Sequence, residues 1–157
     1  LPEAQLDRFL MRISLGYPSF MDELSVIEQQ EKTHPIDELE AVASPEDVIK
    51  LQKAAQNVYV DTAVREYIVG LIEATRNHED VFLGASPRAS LGMFRAVRGM
   101  AILRDRDYAI PDDVKELAYA VLAHRLILSP AARMRGLHTE QVIDGLLESV
   151  AVPGVSR

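Results

Sequence analysis

The string Gly84-Ala85-Ser86-Pro87-Arg88-Ala89-Ser90 carries the residue types that build an anion site. Ser86 suits a helix N-cap, and Pro87 suits the first helical position, where its missing N–H is not needed. Unpaired backbone N–H groups and the helix dipole favour negative charge at such a start. Arg88, within the first turn, adds a planar guanidinium that matches phosphate in a bidentate way. Gly84 gives the backbone freedom to turn sharply into the helix. At about 100° per residue, Gly92, Arg95 and Gly99 fall within about 40° of Arg88. Leu91, Met93, Phe94, Val97, Met100 and Ala101 take the other side. Small residues between the arginines would let another surface come close. A solvated charged face explains the same stripe, and spacing alone leaves both readings open.

A second candidate is Leu1-Pro2-Glu3-Ala4-Gln5-Leu6-Asp7-Arg8-Phe9. An Asp-Arg-Phe sequence leading into a strand puts Arg8 at the end of a sheet. A surface ion pair accounts for Asp7 and Arg8 equally well. Other chemistry finds no support. His34, His78, His124 and His138 are too far apart for a metal motif, and no His-Glu-x-x-His occurs. Asp105, Asp107, Asp112 and Asp113 are interrupted by Pro111 and lack the glycine and terminal glutamate of a calcium loop, so they read as a solvated turn. The sequence has no Gly-x-x-x-x-Gly-Lys-Ser/Thr loop to cradle phosphates. It offers no serine–histidine or paired-carboxylate site. His124-Arg125 reads as a favourable pairing of positive charge with a helix C-terminus.

The elements that must position these residues are mostly helices. Residues 9–15 alternate partly and read as a strand, ended by the breaker Gly16-Tyr17-Pro18. Ser19 with Asp22, and Ser44-Pro45-Glu46-Asp47, are capping boxes. They open helices with stripes at Phe20, Leu24 and Ile27, and at Val48, Leu51 and Ala55. Residues 33–43 form a polar loop, and residues 58–60 are briefly extended. Asp61 caps a helix burying Val64, Ile68, Leu71, Ile72 and Thr75. Residues 77–85 are expected as a loop. The helix from Pro87 runs to about Arg104. Pro111-Asp112-Asp113 opens another, burying Val114, Leu117, Ala118, Val121 and Leu122. A last helix after Thr139 buries Val142, Ile143, Leu146 and Leu147, with Pro153 and Gly154 ending it. The count is one strand and about six helices. A lone strand is not stable without partners, so the chain is expected to be a piece of a longer protein that supplies the sheet.

The 157 residues fit one domain with a modest core. The balance of 48% hydrophobic and 26% charged residues is that of an ordinary globular protein. A net charge of -7 argues against bulk binding to nucleic acid phosphates. No apolar run approaches the ~18 residues a membrane span needs, and the acidic residues Glu3 and Asp7 argue against a signal peptide at the start. The absence of cysteine excludes disulfides and thiolate zinc sites, and is compatible with a cytoplasmic location.

Taken together, these segments resemble the MoxR branch of AAA+ ATPases over nearly the whole chain. The most specific strings are Leu1-Pro-Glu-Ala-Gln-Leu-Asp-Arg-Phe9, which is similar to the segment leading into the last core strand, and Gly84-Ala-Ser-Pro-Arg-Ala-Ser90. Gly16-Tyr-Pro18 resembles the hinge into the lid. Ala74-Thr-Arg76, Arg106-Asp-Tyr108, Pro111-Asp-Asp-Val114 and Val121-Leu-Ala-His-Arg125 resemble successive lid motifs. The resemblance implies a mainly α fold: a helical AAA+ lid over residues 19–157, with residues 1–18 a remnant of the α/β core that includes its last strand.

It also implies roles. Arg88 would be the sensor 2 arginine, with Ser86 and Pro87 beside it at the nucleotide of its own subunit. Arg8 would be an arginine finger acting in trans on a neighbour, with Glu3 and Arg95 as candidates for the subunit interface. The intact protein would bind ATP with magnesium, pack the lid on its own AAA+ core, and assemble into a ring, hexameric in this family. It would act as a chaperone or cofactor-insertion machine with von Willebrand factor A domain partners. The Walker motifs are not in this sequence, so the chain alone is expected neither to hydrolyse ATP nor to bind nucleotide strongly. No metal ligands are expected in it. A free-standing helical interaction module, or the lid of another AAA+ branch such as magnesium chelatase, remains an alternative.

Overall fold

The computed structural model describes residues 2–30 and 34–152. The chain runs α1 (Glu3–Leu6), α2 (Phe20–Gln29), a 3-10 turn (Pro35–Glu38), α3 (Pro45–Asn57), α4 (Thr62–Asn77), β1 (Val81–Leu83), α5 (Pro87–Leu103), α6 (Pro111–Leu122), β2 (Ile127–Leu128), α7 (Pro130–Met134) and α8 (Thr139–Ser149). The architecture is mainly α. Helix α5 lies at its centre, packed against α3, α4 and α6, while α8 closes over α4 and α6.

Capping chemistry sets most of the helix starts. Ser19 and Ser44 each accept from the backbone N–H three residues on, and the Asp22 and Asp47 side chains reach back in return. Asp61 caps α4 and Ser86 caps α5. The expected core stripes of α4 and α6 are all buried, as are Val142, Ile143 and Leu146 of α8. Leu147 is only partly covered. Helix α8 ends at Ser149 with Val150 as its C-cap. The expected stops at Pro153 and Gly154 lie outside the described residues.

Four expectations need correction. Residues 9–15 form no strand: no neighbouring strand is present among the described residues, and a helix end meets part of their backbone instead. The Arg12 N–H donates to the carbonyl of Ala120 at 2.8 Å. Residues 77–85 are not simply a loop, because Val81–Leu83 pairs antiparallel with Ile127–Leu128, neither of which is long enough to show a period. The stripes of α2 and α3 are not buried; among the described residues no side chain before Val58 is. Lastly, Asp113 is not part of a solvated turn. It is fully buried, takes a bidentate pair from Arg106 at 3.0 and 2.6 Å, and accepts from the Ile110 N–H at 2.9 Å. That pairing raises the Arg106 guanidinium's pKa. It also explains why the Arg106 and Asp113 motifs occur together: they close the α5–α6 corner. The extended residues 58–60 join the same corner through a bridge between Tyr59 and Tyr108.

Candidate functional site

The start of α5 is placed by the end of α4. Thr75, buried, accepts at its hydroxyl from the Ala85 N–H at 3.0 Å and donates to the Ile72 carbonyl at 2.6 Å. The Arg76 Nε donates to the Ala85 carbonyl at 2.8 Å. Gly84 lies so close to this turn that a Cβ there would sit 2.7 Å from the Arg76 Cα. Gly84 is therefore needed for a close approach of two backbones at the turn into the helix, and its φ lies outside the left-handed region. These contacts leave Ser86 and Pro87 at the mouth of a 17-residue helix.

Residues 7–12 form an arm that crosses the face of α5. Asp7 is tied to both neighbouring elements. The Ser86 hydroxyl donates to its carboxylate, at 2.8 Å to Oδ2, and the Arg125 Nε lies 3.3 Å from Oδ1. The Ser86 hydroxyl, which also accepts from the Arg88 N–H at 3.2 Å, is thus engaged within the fold. Leu10 covers Gly92: its Cδ1 would be 3.6 Å from a Cβ built there. The glycine between the two arginines does admit a close surface, and that surface is the chain's own arm.

Between the arm and α5 lies a cleft of about 260 Å³. Arg8 enters it from the arm, and Arg88 and Arg95 from α5, with Leu10 and Leu91 as apolar walls; Leu91, only about 60° round the helix from Arg88, stands on the arginine side and not on the apolar side expected. All three arginines are exposed. None of their side chains has a hydrogen bond or ion pair among the described residues. Two residues that the sequence suggested separately, Arg8 and Arg88, therefore share one cleft, together with Arg95. Glu3 stands at the start of α1.

The residue that sequence reasoning missed is Arg125. It follows α6, but its side chain is 2% exposed and turned inward. Burial pushes its pKa down, and Asp7 opposes that shift. A dipole contact alone would have left it in water. The signal was an arginine inside Val121-Leu-Ala-His-Arg-Leu-Ile-Leu128, since a charge in an apolar run is paired when it is buried. Its neighbour His124 has Nε2 3.3 Å from the Phe9 carbonyl. Burial lowers the His124 pKa, more than the Phe9 carbonyl raises it.

The family model described as AAA lid domain matches residues 73–146, which contain α5, α6 and the buried core between them. A Bacillus subtilis protein named "Uncharacterized protein YeaC" is 48% identical over 98% of this chain and 48% of its own length. "Chaperone MoxR1" of Mycobacterium tuberculosis is 42% identical over 99% of this chain and 43% of its own length. Residues 73–146 thus match the AAA lid domain family, and the chain as a whole is similar to part of the MoxR proteins. A crystal structure from Cytophaga hutchinsonii, described provisionally as an ATPase, superposes with a TM-score of 0.88 at 34% identity, over 97% of this chain and 49% of that one. The chain spans about half the length of the curated relatives it matches. Among the described residues no helix is long and apolar enough to cross a membrane.

Proposed function

We propose that the cleft of Arg8, Arg88 and Arg95 receives the phosphates of ATP, and that the chain works as the lid of a MoxR-type AAA+ ATPase. The observation that carries this is three guanidiniums, without partners among the described residues, gathered at the N-terminus of a long helix. Guanidiniums in a cleft with apolar walls suit a polyphosphate, and the first-turn N–H groups of α5 add to the same field. The residues present fit that group. In this reading magnesium is held with ATP by the Walker residues of the AAA+ core. ATP supplies the phosphoryl group. The arginines of this chain orient its oxygens and neutralise charge that develops on them.

In this reading residues 1–18 are the end of the AAA+ core and residues 19–157 the lid, Arg88 is the sensor 2 arginine, and Arg8 is the arginine finger. The shared cleft changes one part of the expectation. If Arg8 serves a neighbouring subunit's nucleotide, Arg88 in the same cleft serves that nucleotide too, instead of one held by its own core. Closure of the cleft on phosphate then couples hydrolysis to movement between neighbours in a cytoplasmic ring, hexameric by family resemblance. That movement drives chaperone-like remodelling or cofactor insertion, with von Willebrand factor A domain proteins as partners.

The test uses the full-length protein. Arg8→Ala and Arg88→Ala each lower the ATPase turnover, by about 10³-fold or more if they act as trans fingers do. Each variant is then mixed with subunits lacking the Walker A lysine. If both arginines serve one neighbouring nucleotide, the two mixing curves have the same shape, with partial rescue of each. Rescue of Arg8→Ala without rescue of Arg88→Ala would restore the division of Arg88 to its own subunit. Full turnover in both single variants would remove the phosphate reading altogether.

A further inference from the structure

We propose that Arg125 is a positioning residue for Arg8: it fixes the arm on both sides of Arg8, so that the Arg8 side chain enters the cleft beside Arg88 and Arg95. The inference rests on the phosphate reading of that cleft.

The argument starts from what one guanidinium touches. Arg125 Nε donates to the Asp7 carboxylate at 3.3 Å. Its Nη2 donates to the Asp7 carbonyl at 3.4 Å and to the Phe9 carbonyl. Its Nη1 donates to the Leu10 carbonyl at 3.2 Å and to the Val121 carbonyl in the last turn of α6. The contacts on the arm thus fall on residues 7, 9 and 10, and skip Arg8, whose side chain stays free for the cleft. Residues 9 and 10 have no strand neighbour among the described residues, so Arg125 supplies donors that a sheet would otherwise have given them. A planar fork with donors on several atoms can serve four or five diverging acceptors, whereas an ammonium has its donors on one atom. Burying the guanidinium carries a desolvation cost that is offset only when its donors are satisfied, as they are here by the arm.

The rest of the anchor agrees. Asp7 is held from its other side by Ser86 at the start of α5. Phe9 and Arg12 are tied to the α6 end through His124 and Ala120. Arg125 is therefore the point at which the end of α6, the start of α5 and the Arg8 arm meet. A shift of α6 relative to α5 would be passed directly to Arg8.

The test has two arms. In the 157-residue chain, Arg125→Lys and Asp7→Asn are compared with the parent by amide hydrogen exchange at Arg12 and by thermal melting. Exchange at Arg12 rises about tenfold or more in each variant while the buried amides of α4 keep their protection. In the full-length protein, both variants lower ATPase turnover with little change in KM. Adding either to Arg8→Ala gives no further loss, because a residue that acts through Arg8 has nothing left to act on. Losses that multiply in the double variants would overturn the positioning role, as would unchanged exchange at Arg12 in both variants. Unchanged exchange removes the anchor and leaves the cleft reading standing. Accelerated exchange in a protein whose Arg8→Ala form keeps full turnover takes Arg8 out of the cleft reading, and with it removes the positioning role. Should Arg125→Lys fail to fold, Asp7→Asn, at a quarter-exposed position, carries both measurements.

Discussion

The two parts of the chain, residues 2–57 and residues 58–152, use similar local signals to different ends. Helix α2 opens with a capping box and carries Phe20, Leu24 and Ile27 at helical spacing, yet none of its residues is buried. Helix α3 also has a capping box, with proline in its first turn, and also buries none. Helix α4 has only an aspartate cap and no acidic residue in its first turn, yet it buries Val64, Tyr67, Ile68, Leu71, Ile72 and Thr75. Every residue of the core lies at or beyond Val58. Caps and periodicity decide that a helix forms and which face is apolar. They do not decide whether anything covers that face, because burial depends on a second surface far away in sequence.

Matched substitutions can break this comparison, and the largest effect belongs to the covered side. Ile143 in α8 has no exposed surface. Truncation to alanine removes its transfer free energy and leaves a cavity, so Ile143→Ala should cost about 2–5 kcal/mol. Urea unfolding of the 157-residue chain followed by circular dichroism measures it through the midpoint at a constant slope. A cost below about 1 kcal/mol would mean that α8 is no part of the cooperative core.

The junction between the two parts gives a smaller effect with a defined sign. His124 sits where the arm meets the end of α6, and burial holds its pKa below the ordinary histidine value. The unfolded chain then binds the proton more readily than the folded one. The stability that neutral His124 contributes is fully present above about pH 6.5 and is lost as the pH falls below that toward its lowered folded value. Melting curves at pH 7.5 and 5.5 should show a decrease for the parent and a smaller decrease for His124→Gln. Equal decreases in the two proteins would place the pH dependence elsewhere.

Much of the second part was legible in the sequence because its information is local. The stripe from Val64 to Thr75 and the stripe from Val114 to Leu122 each repeat along one helix, and Ser86-Pro87 marks a boundary by cap chemistry alone. Arg8 and Arg88 could be named one by one, from a resemblance and from helix-start chemistry. Their meeting in one cleft could not, since it depends on an arm that crosses α5 and on Gly92 leaving room for Leu10. Along the sequence Arg125 has the place of a helix-end charge, because only its chain neighbours are visible there, whereas its partners on the arm are residues 7, 9 and 10. The strand expected at residues 9–15 failed for the same reason: alternation describes the segment, but a strand also needs a partner to accept its hydrogen bonds.

The smallest effect is the sharpest check on the comparison. Ile27 in α2 is the same residue type as Ile143 but is 63% exposed. Its side chain already meets water, so Ile27→Ala in the 157-residue chain removes little buried area and opens no cavity. Alanine also has the better helix propensity, which offsets part of whatever packing the shorter side chain gives up. The unfolding midpoint should therefore move by the equivalent of no more than about 0.5 kcal/mol in either direction. Using one substitution at two positions keeps the chemistry constant, so the ratio of the two costs reports burial alone. If Ile27→Ala destabilises the chain as much as Ile143→Ala, α2 is packed in solution against a surface that this fold does not give it. The contrast between a covered and an uncovered half would then fail.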